Sequence, residues 1–310
     1  MLVTLTMNPA LDITADVDEV RPNHKLRLHS TRRDAGGGGV NVAKVAHVLG
    51  TPVRAIFPCG GASGDIVRRL LVAAGVPIDP VQISEPTRQG MAVNELTSSD
   101  QYSFVLPGPV LTDPEQVECL QRLRDHAPDA DLVVASGSLP PSVPDDFYQR
   151  VADICAEFGV RLILDTSGEG LNRLRAGVFL IKPSLRELRE FCGEELRAEA
   201  DQVAAARALV VSGRTRYVLV SKGGDGALLV DAESALRFPA VPVAPGSGAG
   251  AGDAMVAGTA VGLASGQGLA EAVRLGTACG AAALLTPGSS ACTHADVGRL
   301  LAHVAPAREV

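Results

Sequence analysis

Tryptophan is absent from this chain of 310 residues, and aromatic side chains make up only 3% of it. A protein that stacks nucleobases needs flat aromatic platforms, and one that follows a phosphodiester backbone needs an excess of basic charge. Neither is here: 28 basic residues face 35 acidic ones, the formal net charge is −7, and no basic run is longer than a pair such as Arg32-Arg33. Nucleic acid is therefore not an expected partner. Long polar segments are missing too, and with 46% hydrophobic residues the chain is not disordered. Its core must be built from Val, Leu, Ile and Ala.

The six cysteines form no Cys-x-x-Cys pair and read as reduced, mostly buried thiols rather than a disulfide framework or a zinc site. No basic segment followed by an apolar run opens the chain. The most apolar region, Ala254 to Thr286, is broken by Gln267, Glu271 and Arg274, which suits packed helices and not a membrane span. A cytoplasmic protein without a membrane partner is expected. The dipeptide Gly-Lys never occurs, which excludes a Walker A loop, and no glycine cluster fits Gly-x-Gly-x-x-Gly. His-Glu-x-x-His and Gly-x-Ser-x-Gly are missing as well, and the six histidines never gather at ligand spacing. Lysine is scarce: only Lys25, Lys44, Lys182 and Lys222 stand among the basic residues, so each is a candidate for a place that needs a compact ammonium.

What is present has a clear order. From about residue 107 onward, short apolar runs (132–135, 161–164, 178–181, 217–220) alternate with amphipathic stretches at 144–158, 184–192 and 198–212. Continuous apolar runs are strands covered on both faces, and their alternation with helices predicts a mostly parallel sheet. The front third differs. Core strands are expected at 3–8 and 53–57 and a helix at 40–49, whereas 13–20, 25–31, 90–96 and 102–106 alternate apolar with polar, like strands exposed on one face. Those four strands predict a small lid sheet. The expected division is 1–8, 34–86 and 107–310 for an α/β body, with 9–33 and 87–106 for the lid.

Three segments carry candidate chemistry. The run from Pro245 to Asp253 places glycines before an apolar helix, where backbone N–H groups and the positive helix end suit a developing negative charge. Asp253 there is either a base for an attacking hydroxyl or a helix cap. The run Asp34-Ala35-Gly36-Gly37-Gly38-Gly39-Val40-Asn41 is either bare backbone for a substrate to lie against or a loop needing positive φ. Asp12, in Asn8-Pro9-Ala10-Leu11-Asp12, could accept paired hydrogen bonds from sugar hydroxyls or simply face water. Arg88, between Thr87 and Gln89, is a phosphate candidate or a surface charge.

These segments, together with Ser136-Gly137-Ser138-Leu139-Pro140-Pro141, stand in the order found in ribokinase-like (PfkB family) carbohydrate kinases. The resemblance runs from Thr4 to about Asp296. It implies an α/β ribokinase-like three-layer αβα sandwich with a mostly parallel central sheet plus a small β-sheet lid. The lid strands would leave a hydrophobic face uncovered in a monomer, so a homodimer in which two lids pack together is expected. Within the family the chain resembles the branch acting on phosphorylated ketohexoses. Glycine at position 38, where the tagatose-6-phosphate and fructose-1-phosphate kinases usually carry Lys, favours transfer from ATP to O1 of fructose 6-phosphate; those two kinases are the alternatives.

By the same resemblance Asp253 matches the catalytic base, and Gly250, Ala251 and Gly252 the anion hole. Asp12, Gly38, Gly39 and Asn41 match the sugar site, while Lys25, Arg88 and Ser138 match positions facing the sugar phosphate. Lys182, Ser184, Glu187, Ser221, Gly223, Gly226 and Gly248 match the nucleotide side. Mg²⁺ is implied with ATP, reached by Glu187 through water, and a K⁺ site is implied near Ser247, Thr286 and Gly288. One departure stands out: the family's Asn-x-x-Glu is here Ser184-Leu185-Arg186-Glu187. Loss of the amide is the one feature favouring a sensor that binds sugar phosphate or nucleotide without turnover.

Overall fold

The computed structural model describes residues 1–243, 250–286, 288 and 290–310. Among these, the strands in chain order are β1 (Leu2–Leu5), β2 (Ala10–Val17), β3 (His29–Gly36), β4 (Val53–Cys59), β5 (Ile78–Gln82), β6 (Arg88–Glu95), β7 (Gln101–Val105), β8 (Leu132–Ser136), β9 (Arg161–Asp165), β10 (Val178–Ile181), β11 (Thr215–Ser221), β12 (Ala227–Val230), β13 (Ala235–Phe238) and β14 (Arg308–Glu309). The helices are α1 (Gly38–Val48), α2 (Gly61–Ala73), α3 (Asp113–His126), α4 (Phe147–Glu157), α5 (Glu169–Asn172), α6 (Leu185–Cys192), α7 (Glu199–Val211), α8 (Ala251–Ala264), α9 (Leu269–Ala283) and α10 (His294–Leu301).

The main sheet runs β14-β13-β12-β11-β10-β9-β8-β1-β4-β5, parallel from β11 to β5 and antiparallel from β11 to β14. Alternate residues of the central strands feed two cores. Leu2, Leu132, Val134 and Ile163 pack with α1, α2, α8 and α9, whereas Val3, Leu5, Val133 and Leu162 pack with α3 and α4. Sheets buried on both faces need apolar residues at every position, which is why these strands read as unbroken runs. The apolar region from 254 to 286 is the tightly packed α8–α9 pair: a Cβ on Gly258 would meet Gly276 Cα at 2.8 Å, so the two helices cross backbone against backbone. Among the described residues no helix is long and apolar enough to cross a membrane, and all six cysteines are free thiols.

The second sheet has the order β3-β2-β6-β7, with β2 and β6 parallel and both outer pairs antiparallel. It leaves the body after β1 and again after β5, as the alternating segments predict. Two boundaries differ from expectation. Residues 25–28 lie outside any strand, and β3 instead continues to Gly36, past the boundary expected at 33. The reason is pairing: Asp34 and Gly36 lie opposite Asp12 and Ala10, so the glycine run begins inside the lid strand. The antiparallel extension β12–β14 was not legible as a separate feature.

Candidate active site

The strand order reverses at β1, whose neighbours are β4 on one side and β8 on the other. In open parallel sheets the crevice at such a point, beyond the carboxyl ends of the strands, is where ligands bind. A cleft of ≈ 330 Å³ opens there, under the lid, and its walls include Asp12, Asn41, Arg88, Ser138, Asp165 and Asp253. The two central strands are tied across it by Asn8 Nδ2, which donates to Ser138 Oγ at 3.2 Å.

The lid supplies one wall. Asp12 projects from β2 and Arg88 opens β6 directly beside it, with Ala10 opposite Arg88 in the register. Arg88 donates from Nη2 and Nε to Asn8 O at 3.0 and 3.3 Å, which fixes the guanidinium over the end of β1. Burial lowers the Arg88 pKa, and the neighbouring Asp12 carboxylate opposes that shift. Gly37 precedes α1 with φ of 107°, a conformation that glycine alone adopts readily. Gly38 lies against β8: a Cβ there would overlap Ser136 Oγ and stand 2.8 Å from the Ser136 carbonyl carbon. A lysine at position 38 has no room to begin.

The opposite wall carries Asp253. Gly250 caps α8 at φ 78°, and Ala251, Gly252 and Asp253 form its first turn, whose N–H groups have no partner within the helix. Asp253 Oδ2 accepts from Asn41 Nδ2 at 2.9 Å. Burial raises the Asp253 pKa to about 7, the Asp165 charge adds to this, and Asn41, Lys182 and Lys44 oppose it. A carboxylate so placed can hold or release a proton near neutral pH. Lys44 is buried on α1 and donates to Ala35 O at 2.6 Å; burial lowers its pKa to about 8 against the pull of Asp34, Asp12 and Asp253.

The residues expected on the nucleotide side lie at the ends of β9, β10 and β11. Lys182 Nζ pairs with Asp165 Oδ1 at 3.2 Å, and burial alone would lower the lysine pKa, but Asp165 and Glu187 more than offset it. A Cβ on Gly252 would lie 3.5 Å from Lys182 Nζ, so the ammonium stands beside the first turn of α8. Ser184 caps α6: its Oγ accepts from Glu187 N at 3.2 Å while Glu187 Oε2 accepts from Ser184 N at 2.7 Å. This capping box leaves Glu187 on the cleft wall. Among the described residues no three His, Cys, Asp or Glu side chains gather as a metal cage. One carboxylate beside a phosphate site suits Mg²⁺, which keeps most of its water and takes few protein ligands, so Glu187 fits as a contact through water.

Most of the sequence-predicted residues meet around this cleft, but not all. Lys25 is exposed in the connection between β2 and β3, away from the cleft of its own chain. Gly39 is not part of the cleft wall; it packs on β1, where a Cβ would stand 2.8 Å from Leu5 O. Ser221, Gly223 and Gly226 lie together at the end of β11, and Ser221 bridges to Ser184. Gly248 and Ser247 fall outside the described residues. Sequence reasoning missed Asp165 and Asn8. Asp165 ends an apolar run, the position where parallel strands present functional groups, and that was the available signal.

An open parallel sheet with a lid, holding a buried carboxylate at a helix N-terminus beside a polar cleft with an arginine opposite, suits a kinase of small hydroxylated substrates. The chain matches the pfkB family carbohydrate kinases over residues 5–296 and belongs to that family. It is 53% identical to ATP-dependent 6-phosphofructokinase isozyme 2 of Mycobacterium tuberculosis over 309 residues, covering 100% of this chain and 91% of the relative. With the protein of the same description from Escherichia coli it shares 37% over 305 residues, 98% of each. Solved structures of phosphofructokinase-2 from Escherichia coli superpose closely. The complex with fructose-6-phosphate gives a TM-score of 0.91 at 36% identity and covers 98% of both chains. The complex with potassium gives 0.92 at 36%, covering 97% of this chain and 98% of the other.

Proposed function

We propose that the protein is an ATP-dependent 6-phosphofructokinase, transferring the γ-phosphoryl group of ATP to O1 of fructose 6-phosphate. The observation that carries this reading is the Asn41–Asp253 pair on the wall of the cleft that also holds Asp12 and Arg88. Asp12 accepts hydrogen bonds from the sugar hydroxyls, and Arg88 with Ser138 holds the 6-phosphate. Asp253 takes the proton from the O1 hydroxyl as the O1–phosphorus bond forms and the bond to the β-phosphate oxygen breaks, releasing ADP. The N–H groups at the start of α8 and the Lys182 ammonium face the charge on the transferred group. Most of the acceleration comes from positioning and charge stabilisation. Bound Mg²⁺ supplies further neutralisation of phosphate charge, and Glu187 reaches its water shell.

The absent side chain at position 38 supports fructose 6-phosphate over fructose 1-phosphate and tagatose 6-phosphate. Detection of fructose 1,6-bisphosphate through aldolase, with ATP and fructose 6-phosphate supplied, tests the assignment; ADP formed without a bisphosphate contradicts it.

The lid, residues 9–33 and 87–106, is proposed as a dimerisation module. Phe104, Val105 and Leu106 are 58%, 70% and 54% exposed, and β7 has no buried residue, an apolar edge that a second lid would cover. Light scattering at micromolar concentration should give twice the chain mass, and a monomer contradicts this. A K⁺ site near Thr286 and Gly288 is proposed on the relative's potassium complex; exchange of K⁺ for tetramethylammonium should lower kcat.

A further inference from the structure

Two of the cross-strand neighbours of Asp12 carry no side chain, although Asp34 stands directly opposite it on β3 and Arg88 diagonally on β6. In the β2–β6 register Asp12 is directly opposite Gly90, and in the β2–β3 register Ala10 is opposite Gly36, which makes Gly36 the diagonal neighbour of Asp12. Direct and diagonal partners point to the same face of a sheet. Neither glycine has a positive φ. What each leaves is space beside Asp12. A Cβ on Gly36 would overlap Asp12 Oδ2 and come within 2.6 Å of Asp12 Cγ, where real Cβ atoms do not go. A Cβ on Gly90 would stand 2.9 Å from Asp12 Oδ1 and 4.0 Å from Cγ. The carboxylate therefore lies down along the sheet, over the two glycines, instead of standing up from it.

We infer that Gly36 and Gly90 are positioning residues for the sugar: they form a side-chain-free slot that sets the orientation of the Asp12 carboxylate. The inference rests on the proposed role of Asp12 in holding sugar hydroxyls. Gly90 and Asp12 both line the cleft, whereas Gly36 is buried and does not itself line it. Gly36 thus acts only through Asp12, while a side chain on Gly90 would also narrow the sugar side of the cleft. The slot also explains why β3 reaches as far as Gly36: the strand has to continue in register for the second glycine to lie beneath the carboxylate.

The geometry orders the outcomes. Gly36→Ala must tilt the carboxylate by most of a van der Waals radius and should lower kcat/KM for fructose 6-phosphate about 10²-fold, the scale of a misplacement near 1 Å. Gly90→Ala asks for a shift of a few tenths of an ångström, and a loss of about 3–10-fold is expected. KM for ATP should stay within about twofold in both, because the slot lies on the sugar side.

A double-mutant cycle separates positioning from simple damage to the lid. Asp12→Ala removes the group the slot exists to hold, so Gly36→Ala on that background should cost less than about twofold in fructose 6-phosphate binding measured by calorimetry. Calorimetry on the unmodified protein, the two single variants and the double variant needs no turnover. An additive cycle, with Gly36→Ala costing as much without the Asp12 carboxylate as with it, overturns the inference and leaves the proposed activity standing. Full sugar affinity in Gly36→Ala overturns it as well. If the unmodified protein binds no fructose 6-phosphate, the proposed function fails, and the inference with it.

Discussion

Asn41 donates its side-chain amide to Asp253 at 2.9 Å, so the first turns of α1 and α8 converge on one carboxylate. The pair joins two glycine-rich segments more than two hundred residues apart and fixes which oxygen of Asp253 is left for substrate. Asp253→Asn keeps the shape and removes the proton acceptor. Its kcat should fall by about 10²–10⁴-fold, the contribution of a positioned base, with folding and ATP binding nearly unchanged. Stopped-flow ADP release with a parallel calorimetric titration of ATP checks both halves.

The pH profile follows from the same carboxylate. Burial, reinforced by Asp165, raises the Asp253 pKa to about 7. Below that pH the carboxyl is protonated and cannot take the hydroxyl proton, so kcat/KM should rise through an acidic limb centred near 7. Asp165→Asn removes a negative charge that favours the protonated form, and the limb should move to lower pH by about one unit. A limb that stays in place in Asp165→Asn separates the two carboxylates.

Arg88 is held by two hydrogen bonds to Asn8 O, so its charge is fixed over the cleft rather than free to seek solvent. Arg88→Ala should raise KM for fructose 6-phosphate at least about tenfold, the scale of a lost charged hydrogen bond, and leave KM for unphosphorylated fructose unchanged. Equal effects on both sugars would assign Arg88 to lid architecture alone.

Ser184, which stands where the family carries Asn, caps α6 and forms a reciprocal box with Glu187. Ser184→Ala should cost about 1 kcal/mol of stability, typical of a lost N-cap, seen as a lower denaturation midpoint. Glu187→Gln should raise the Mg²⁺ concentration for half-maximal rate without changing KM for the sugar. Magnesium titrations at fixed ATP read this directly.

The parallel sheet was legible because strands covered on both faces must be apolar throughout, and Leu132–Ala135 has no other reading. The lid was legible from alternation, but its edge was not: Asp34, Ala35 and Gly36 run into the glycine stretch and belong to β3 only because Asp12, Leu11 and Ala10 lie opposite them. The site divided in the same way. Asp253, Asn41 and Gly250 sit where glycine runs meet helix starts, a local pattern. Asp165 and Asn8 acquire meaning only when β1, β8 and β9 lie side by side, and the slot beneath Asp12 depends on cross-strand register that no single segment encodes.

The most direct test of the account is ADP release with ATP and Mg²⁺ measured against fructose 6-phosphate, tagatose 6-phosphate, fructose 1-phosphate and fructose in one buffer. The account predicts that fructose 6-phosphate leads in kcat/KM by at least about tenfold, a discrimination within reach of a few site contacts. ADP release with none of the four, from protein that still binds ATP, would contradict it.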